Sequence, residues 1–375
     1  TAMPHPFSLL DDVPRGAPRR GGVETRLEDH ILPRAQFRDP DTIVRSDTLK
    51  RSGHKLHLGV IGGTVSTVTL PDGRVERHVM GGHGVGSGDD RHAILVAGSR
   101  SGQGRCVIVP TLLDYEGSVL ATDPKAELFN ITATRRAGRL GQRVVGLDPF
   151  GIAGDHVAGY QGGFNPMTIL KPDSPTLVED AGLIADAIVI PGNGDSHWDD
   201  SARNWIETLI LHVATHDAYE GERSLVTVHR LLMRGAVSGG ASSLKALEKE
   251  MLRNDAAFGV VQEGAADFFE KPGDERGSVL STARRHAKFL SYRAIRAVTE
   301  AHDFDLEDLK RDRMTVYLCL PAMRLGTCSR WFRLFVNLAL AAMERVPVRP
   351  TPPVLMCLDE FPVMGHLKTD EDAAG

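Results

Sequence analysis

The apolar positions of this chain change rhythm four times. Over residues 1–53 they are scattered among proline, arginine and aspartate with no lasting period, which predicts a loosely ordered arm. Over 56–61, 64–70 and 74–80 they alternate in short runs, with Pro71, Asp72 and Gly73 as a turn, and these predict strands. Residues 81–88 are glycine-rich, lack the spacing of a dinucleotide loop, and read as a connector. Three continuous apolar runs follow at 93–97, 118–122 and 143–147, the pattern of strands buried on both faces. Helical segments are expected between them at 105–115, with Pro110 kinking the helix, and at 125–138.

From 164 to 312 the period is helical throughout, with helices expected at 178–189, 199–216, 224–233, 243–257 and 278–301. Strand character returns at 316–320 and 354–358, separated by a helix at 329–345. Strand and helix alternate on either side of a helical block. The expectation is therefore an α/β core with a mostly parallel sheet, split by an inserted all-α domain. Its segments are an arm at 1–53, a first core part at 54–165, the insertion at 166–312 and a second core part at 313–375.

Composition changes little in this picture. A length of 375 residues suits about two domains. The net charge of -5 argues against a globally basic nucleic-acid binder while leaving room for a local basic channel. Cys106, Cys319, Cys328 and Cys357 show no paired spacing and fit a reduced compartment. No run approaches the ~18 apolar residues of a membrane span, so the chain as given reads as soluble.

Chemistry is concentrated at two strand ends. Ala97, Gly98, Ser99, Arg100, Ser101, Gly102, Gln103 and Gly104 lie between a predicted buried strand and a predicted helix, with Arg105 opening the helix. A loop there aims backbone N–H groups and the positive end of a helix dipole at an anion, and small residues let it come close. The spacing is that of a phosphate loop with three departures. Ala97 replaces the first glycine, Gln103 the lysine, and Gly104 the hydroxyl residue that would hold magnesium. The second strand end is the apolar run at 354–358 followed by Asp359 and Glu360. The first carboxylate suits Mg²⁺, and the second suits orienting or deprotonating an attacking water.

The text also resembles a known family, the TraG/TraD-type coupling proteins of type IV secretion. The matching segments run in family order: 90–102, 117–120, 123–127 (Asp-Pro-Lys-Ala-Glu), 147–150, 198–205, 277–283, 317–324 and 358–365. The resemblance implies a RecA-like P-loop NTPase core with ATP and Mg²⁺ as cofactors. Residues 97–104 would surround the β- and γ-phosphates, Asp359 would serve Mg²⁺, and Glu360 would be the catalytic carboxylate. It also implies a homo-hexamer at the inner face of the bacterial inner membrane. Such a protein would pass single-stranded DNA, a relaxase–DNA complex or protein substrates to secretion channel components.

Departures from the family pattern modify that expectation. Gln103 carries no charge, and loss of such an electrostatic contact costs about 2.7–4 kcal/mol of barrier. Hydrolysis is therefore in question, with Arg100 or Arg105 as substitutes for the missing charge. The alternative is a non-hydrolysing interaction module, or an inactive truncated paralogue that binds partners through the all-α domain. Ala126 stands where relatives carry glycine and reads as a mild change. A RecA-like sheet normally inserts its next strand between the phosphate-loop strand and the strand ending in Asp359. With Gly375 following so soon, the expectation is a fragment, a truncated paralogue or a decayed gene product that lacks the membrane anchor.

Other features have bland readings. His212 and His216 suit packing or surface exposure better than a metal, since no third ligand is evident. Trp198 and Trp205 share a helical face and read as core. Arg135, Arg136, Arg139 and Arg143 fit helix C-terminal electrostatics. Arg324, Arg330 and Arg333 read as a solvated face, with a DNA channel or a neighbouring subunit's nucleotide as the alternative.

Overall fold

The computed structural model describes residues 39–88, 91–98, 101–192, 196–234 and 240–359. Contacts divide the chain into Thr1–Asp39 and Pro40–Gly375, and all elements named here belong to the second unit. The strands are β1 (Leu56–Ile61), β2 (Thr64–Thr69), β3 (Val75–Met80), β4 (His83–Ser87), β5 (Val119–Asp123), β6 (Arg143–Leu147), β7 (Met314–Cys319) and β8 (Leu355–Leu358). The first helices are α1 (Pro40–Val44), α2 (Val109–Asp114), α3 (Glu127–Gly138), α4 (Leu177–Ile188), α5 (Ser196–Thr215) and α6 (Leu225–Leu232). They are followed by α7 (Gly240–Met251), α8 (Val260–Glu270), α9 (Gly273–His286), α10 (Arg293–Glu300), α11 (Asp308–Arg311) and α12 (Ala322–Arg345).

The central sheet has the order β6-β7-β5-β8, and every pairing is parallel. This is the expected α/β class, with the helical block between β6 and β7. The continuous apolar runs have a simple cause, because alternate residues feed two cores. Leu120, Val145, Leu147, Val316 and Leu318 join the core that α4, α5 and α12 cover. Val119, Ala121, Val144, Tyr317 and Cys319 join the core formed with α2 and α3. On that second face Phe129 lies 5.1 Å from Tyr317 between ring centroids. It also occupies the space above Gly146, where an added Cβ would come within 2.3 Å of the ring.

Residues 93–97 are a correction. They were expected as a strand buried on both faces, yet they form no strand, and Ile94 and Val96 are 89% and 88% exposed. A strand is buried by its neighbours. Among the described residues no strand pairs with 93–97.

Further differences from expectation have local causes. Residues 83–87 are not a connector but β4, which pairs antiparallel with β1. Its glycines suit the contact, since a Cβ on Gly86 would sit 3.0 Å from the Leu56 carbonyl oxygen of β1. α8 was not anticipated, and Gly264 in its middle weakens the helical signal. A single helix over 278–301 is instead α9, a 3₁₀ turn at Ala287–Ser291, and α10. Ala287, Phe289 and Leu290 are all buried there, and a tighter turn carries three close apolar side chains inward.

Candidate functional site

Parallel strands end on a common edge, and carboxylates collect at this one: Asp123 ends β5, Asp148 follows β6 and Asp359 follows β8. Thr122 and Leu358 form the last pair of the β5–β8 ladder. Beyond it the buried Thr122 hydroxyl donates to the Asp359 carbonyl at 2.7 Å, which extends the ladder by one side-chain step.

Asp123 turns away to cap α3. Its Oδ2 accepts the Phe129 N–H at 2.8 Å, with the Lys125 and Glu127 amides also bonding to the carboxylate. Burial pushes its pKa up to about 6, the amides pull against this, and the charge of neighbouring Asp359 adds to the rise. The turn passes through Ala126 with φ 53 and ψ 19. That left-handed conformation costs a non-glycine residue roughly 1–2 kcal/mol, so alanine at 126 is not the mild choice its size suggests. Asp148 Oδ2 accepts the Ala153 N–H at 2.8 Å, and its buried Oδ1 has no hydrogen-bond partner among the described residues.

The loop over 97–105 is partly described, with Ser99 and Arg100 outside the described residues. The Ser101 N–H donates to Gly98 O at 3.1 Å, and Gly102 at φ 91 reverses the chain. Gln103 is already helical, at φ -51 and ψ -47. The Ser101 hydroxyl donates to Gln103 Oε1 at 2.7 Å. A Cβ added to Gly98 or Gly104 would meet nothing within 4 Å, so the backbone stands open to a ligand on those sides.

The helix begins as a π turn, Gly104–Ile108, before continuing as α2. Pro110 accounts for this, because it has no N–H to donate to Cys106, and the Val109 N–H reaches back to Gly104 O. Thr111 Oγ1 then accepts the His57 N–H at 2.9 Å, which ties β1 to the helix behind the loop.

Ala97, Gly98, Ser101, Gly102, Gln103, Gly104 and Arg105 are therefore described on the loop and helix start, and Asp359 at the sheet edge. Glu360 lies outside the described residues. Sequence reasoning placed Arg136 among the helix C-terminal cations, and the structure gives it a different role. It is fully buried, with Nε 2.7 Å from Thr315 Oγ1 and Nη2 2.8 Å from both Gly117 O and Gln142 Oε1. A further bond reaches Tyr115 O at 3.0 Å, and burial lowers the arginine's pKa to about 10. Arg136 thus ties the end of the α2 segment and α3 to the sheet. The one available signal was the four-arginine cluster, which helix electrostatics explain equally well.

The remaining candidates serve packing. Arg330 Nε donates to Ile188 O at 3.0 Å and Nη2 lies 3.2 Å from His286 Nδ1. Arg333 is buried and Arg330 half-buried, whereas Arg324, 5.9 Å above the Phe150 ring, stays exposed, so of the three only Arg324 fits the solvated face expected. His212 is fully buried between Glu250 Oε1 and Asn254 Nδ2, each at 3.0 Å. Trp205 stacks on Phe268 with centroids 3.7 Å apart. Among the described residues there is no metal-ligating cluster of three, and no helix is long and apolar enough to cross a membrane.

Comparison with known proteins gives a consistent picture. The family described as type IV secretory system conjugative DNA transfer matches residues 44–375. A conjugal transfer protein TraG of Escherichia coli is 27% identical over 300 residues, covering 75% of this chain and 45% of that protein. The protein VirD4 of Agrobacterium fabrum is 29% identical over 292 residues, covering 76% and 41% respectively. The chain thus spans less than half the length of these relatives. A solved structure of the plasmid coupling protein TrwB, in complex with ADP and Mg²⁺, aligns over 69% of this chain and 60% of that one. Its TM-score is 0.42 at 14% identity.

Proposed function

The chain belongs to the conjugative DNA transfer family of type IV secretory systems, and from that premise we propose that it binds ATP with Mg²⁺ between its phosphate loop and the end of β8. In this reading it serves as the nucleotide-binding core of a coupling protein. It works at the inner face of the bacterial inner membrane, in a homo-hexamer, and hands single-stranded DNA, a relaxase–DNA complex or protein substrates to the secretion channel. The segments 54–165 and 313–375 form the core, and 166–312 form the substrate-facing all-α domain.

The observation that carries the reading is Asp359, whose backbone carbonyl accepts from Thr122 at the edge where parallel α/β sheets bind ligands. The residues present fit a magnesium nucleotide in part. Open backbone at Gly98 and Gly104 suits phosphate oxygens, and Asp359 suits a hard cation. Gln103 does not supply the lysine charge. When bound, the magnesium nucleotide would supply the phosphoanhydride bond and neutralise charge between its phosphates. The chain's own work is to hold the phosphates by N–H groups of residues 98–104, hold the cation by Asp359, and orient a water by Glu360.

Steady-state ATP hydrolysis, compared between this chain and Gln103→Lys, tests the assignment. Loss of one transition-state contact corresponds to about 10²–10³ in kcat, so Gln103→Lys is expected to raise turnover by that order. Equal turnover in the two proteins would remove Gln103 from the catalytic account. The second reading, a non-hydrolysing interaction module, is favoured by Gln103 alone. It predicts bound nucleotide with no turnover in this chain.

A further inference from the structure

We infer that Gln103 is a neutral phosphate donor held in place by Ser101, so that the loop grips phosphate without the usual ammonium. The inference rests on the nucleotide-site reading above. A carboxamide has an accepting end and a donating end. The Ser101 hydroxyl occupies the accepting end, donating to Gln103 Oε1 at 2.7 Å. That bond restrains the plane of the amide and leaves the –NH₂ as its donating end. It also commits the Ser101 hydrogen, so Ser101 acts through Gln103 and is a positioning residue.

The backbone agrees with this role. Gly102 at φ 91 turns the chain, and Gln103 follows with helical angles directly before the open backbone of Gly104. An amide at this place differs from an ammonium in one respect that matters. Its N–H groups bond to phosphate oxygens already present in the bound state, but it has no charge to set against charge that develops during transfer. Interactions equal in the ground and transition states support binding and not turnover. The ligand class is therefore a nucleoside di- or triphosphate, recognised at its β-phosphate and turned over slowly.

The test is the affinity ratio of ADP over AMP, with Mg²⁺ present, measured by calorimetry on the full chain. Thermal unfolding of each variant serves as a control for folding. Gln103→Met removes the donor at similar volume and is expected to lower the ratio about tenfold, the loss of roughly one good hydrogen bond. Ser101→Ala is expected to lower it about threefold through the freed amide, and Ser101→Thr to restore it. A ratio unchanged in Gln103→Met or in Ser101→Ala would overturn the inference while the nucleotide reading stands. If this chain binds no ADP but Gln103→Lys does, the site is right and the amide donor is refuted. If neither protein binds ADP, the nucleotide reading falls and takes the inference with it.

Discussion

Asp359 and Gln103 stand on the two halves of one candidate site, and their surroundings differ in kind. Asp359 follows a strand paired along β5, and its backbone is clipped by a buried threonine. Gln103 sits on a loop entered from residues 93–97, whose side chains point largely into solvent. Its conformation rests on local features: a glycine with positive φ, a serine hydroxyl and a π turn ahead of Pro110. The carboxylate half is thus set by long-range packing, and the phosphate half by neighbours a few residues away. Buried geometry resists change until a core group is removed. Local geometry can be altered by one hydroxyl at little cost to folding.

The largest effect expected from this contrast is at Arg136. Arg136→Met strands the Tyr115 carbonyl, removes one of the two donors to Gly117 O and leaves Thr315 and Gln142 short of a partner, and should destabilise by about 3 kcal/mol, read as a shift in urea unfolding. A loss below ~1 kcal/mol would mean that the packed half is not held by this network. Ala126→Gly works the other way. Relief of the left-handed alanine should stabilise by about 1 kcal/mol in the same assay, and a destabilised variant would show that the Ala126 methyl matters more than its φ.

Thr122→Val should cost about 1 kcal/mol and raise the Mg²⁺ concentration needed for half-maximal nucleotide binding, with Thr122→Ser restoring both. If the Mg²⁺ requirement stays fixed, the clip does not aim Asp359. The smallest effect concerns pH. Burial lowers the pKa of His212 and His286, so the unfolded chain binds more protons around their ordinary value of 6.5. Stability should therefore fall as pH drops through 6.5. His212→Gln should flatten that slope in thermal unfolding at stepped pH, and an unchanged slope would assign the titration elsewhere.

Much of the packed half was legible because strands buried on two faces leave continuous apolar runs, as at 118–122 and 143–147. The loop at 97–105 was singled out by its spacing and by family resemblance, and the structure adds the positive φ of Gly102 and the Ser101–Gln103 bond. What stayed hidden depends on contacts between distant positions. The φ of Ala126 follows from Asp123 capping α3, and no local pattern announces it. The burial of Arg136 follows from carbonyls at 115 and 117 and a hydroxyl at 315, while its sequence context suggests only a helix end. Residues 93–97 are the converse case. Their apolarity states what they would do beside partner strands, and among the described residues no strand pairs with them.

The central claim is that the loop and the sheet edge form a single site. The most direct test is the Mg²⁺ dependence of ATP affinity in this chain and in Asp359→Asn. The account predicts that Mg²⁺ tightens ATP binding by this chain, and that Asp359→Asn abolishes the Mg²⁺ effect while metal-free binding at the loop is retained. Binding that gains equally from Mg²⁺ in both proteins would contradict it.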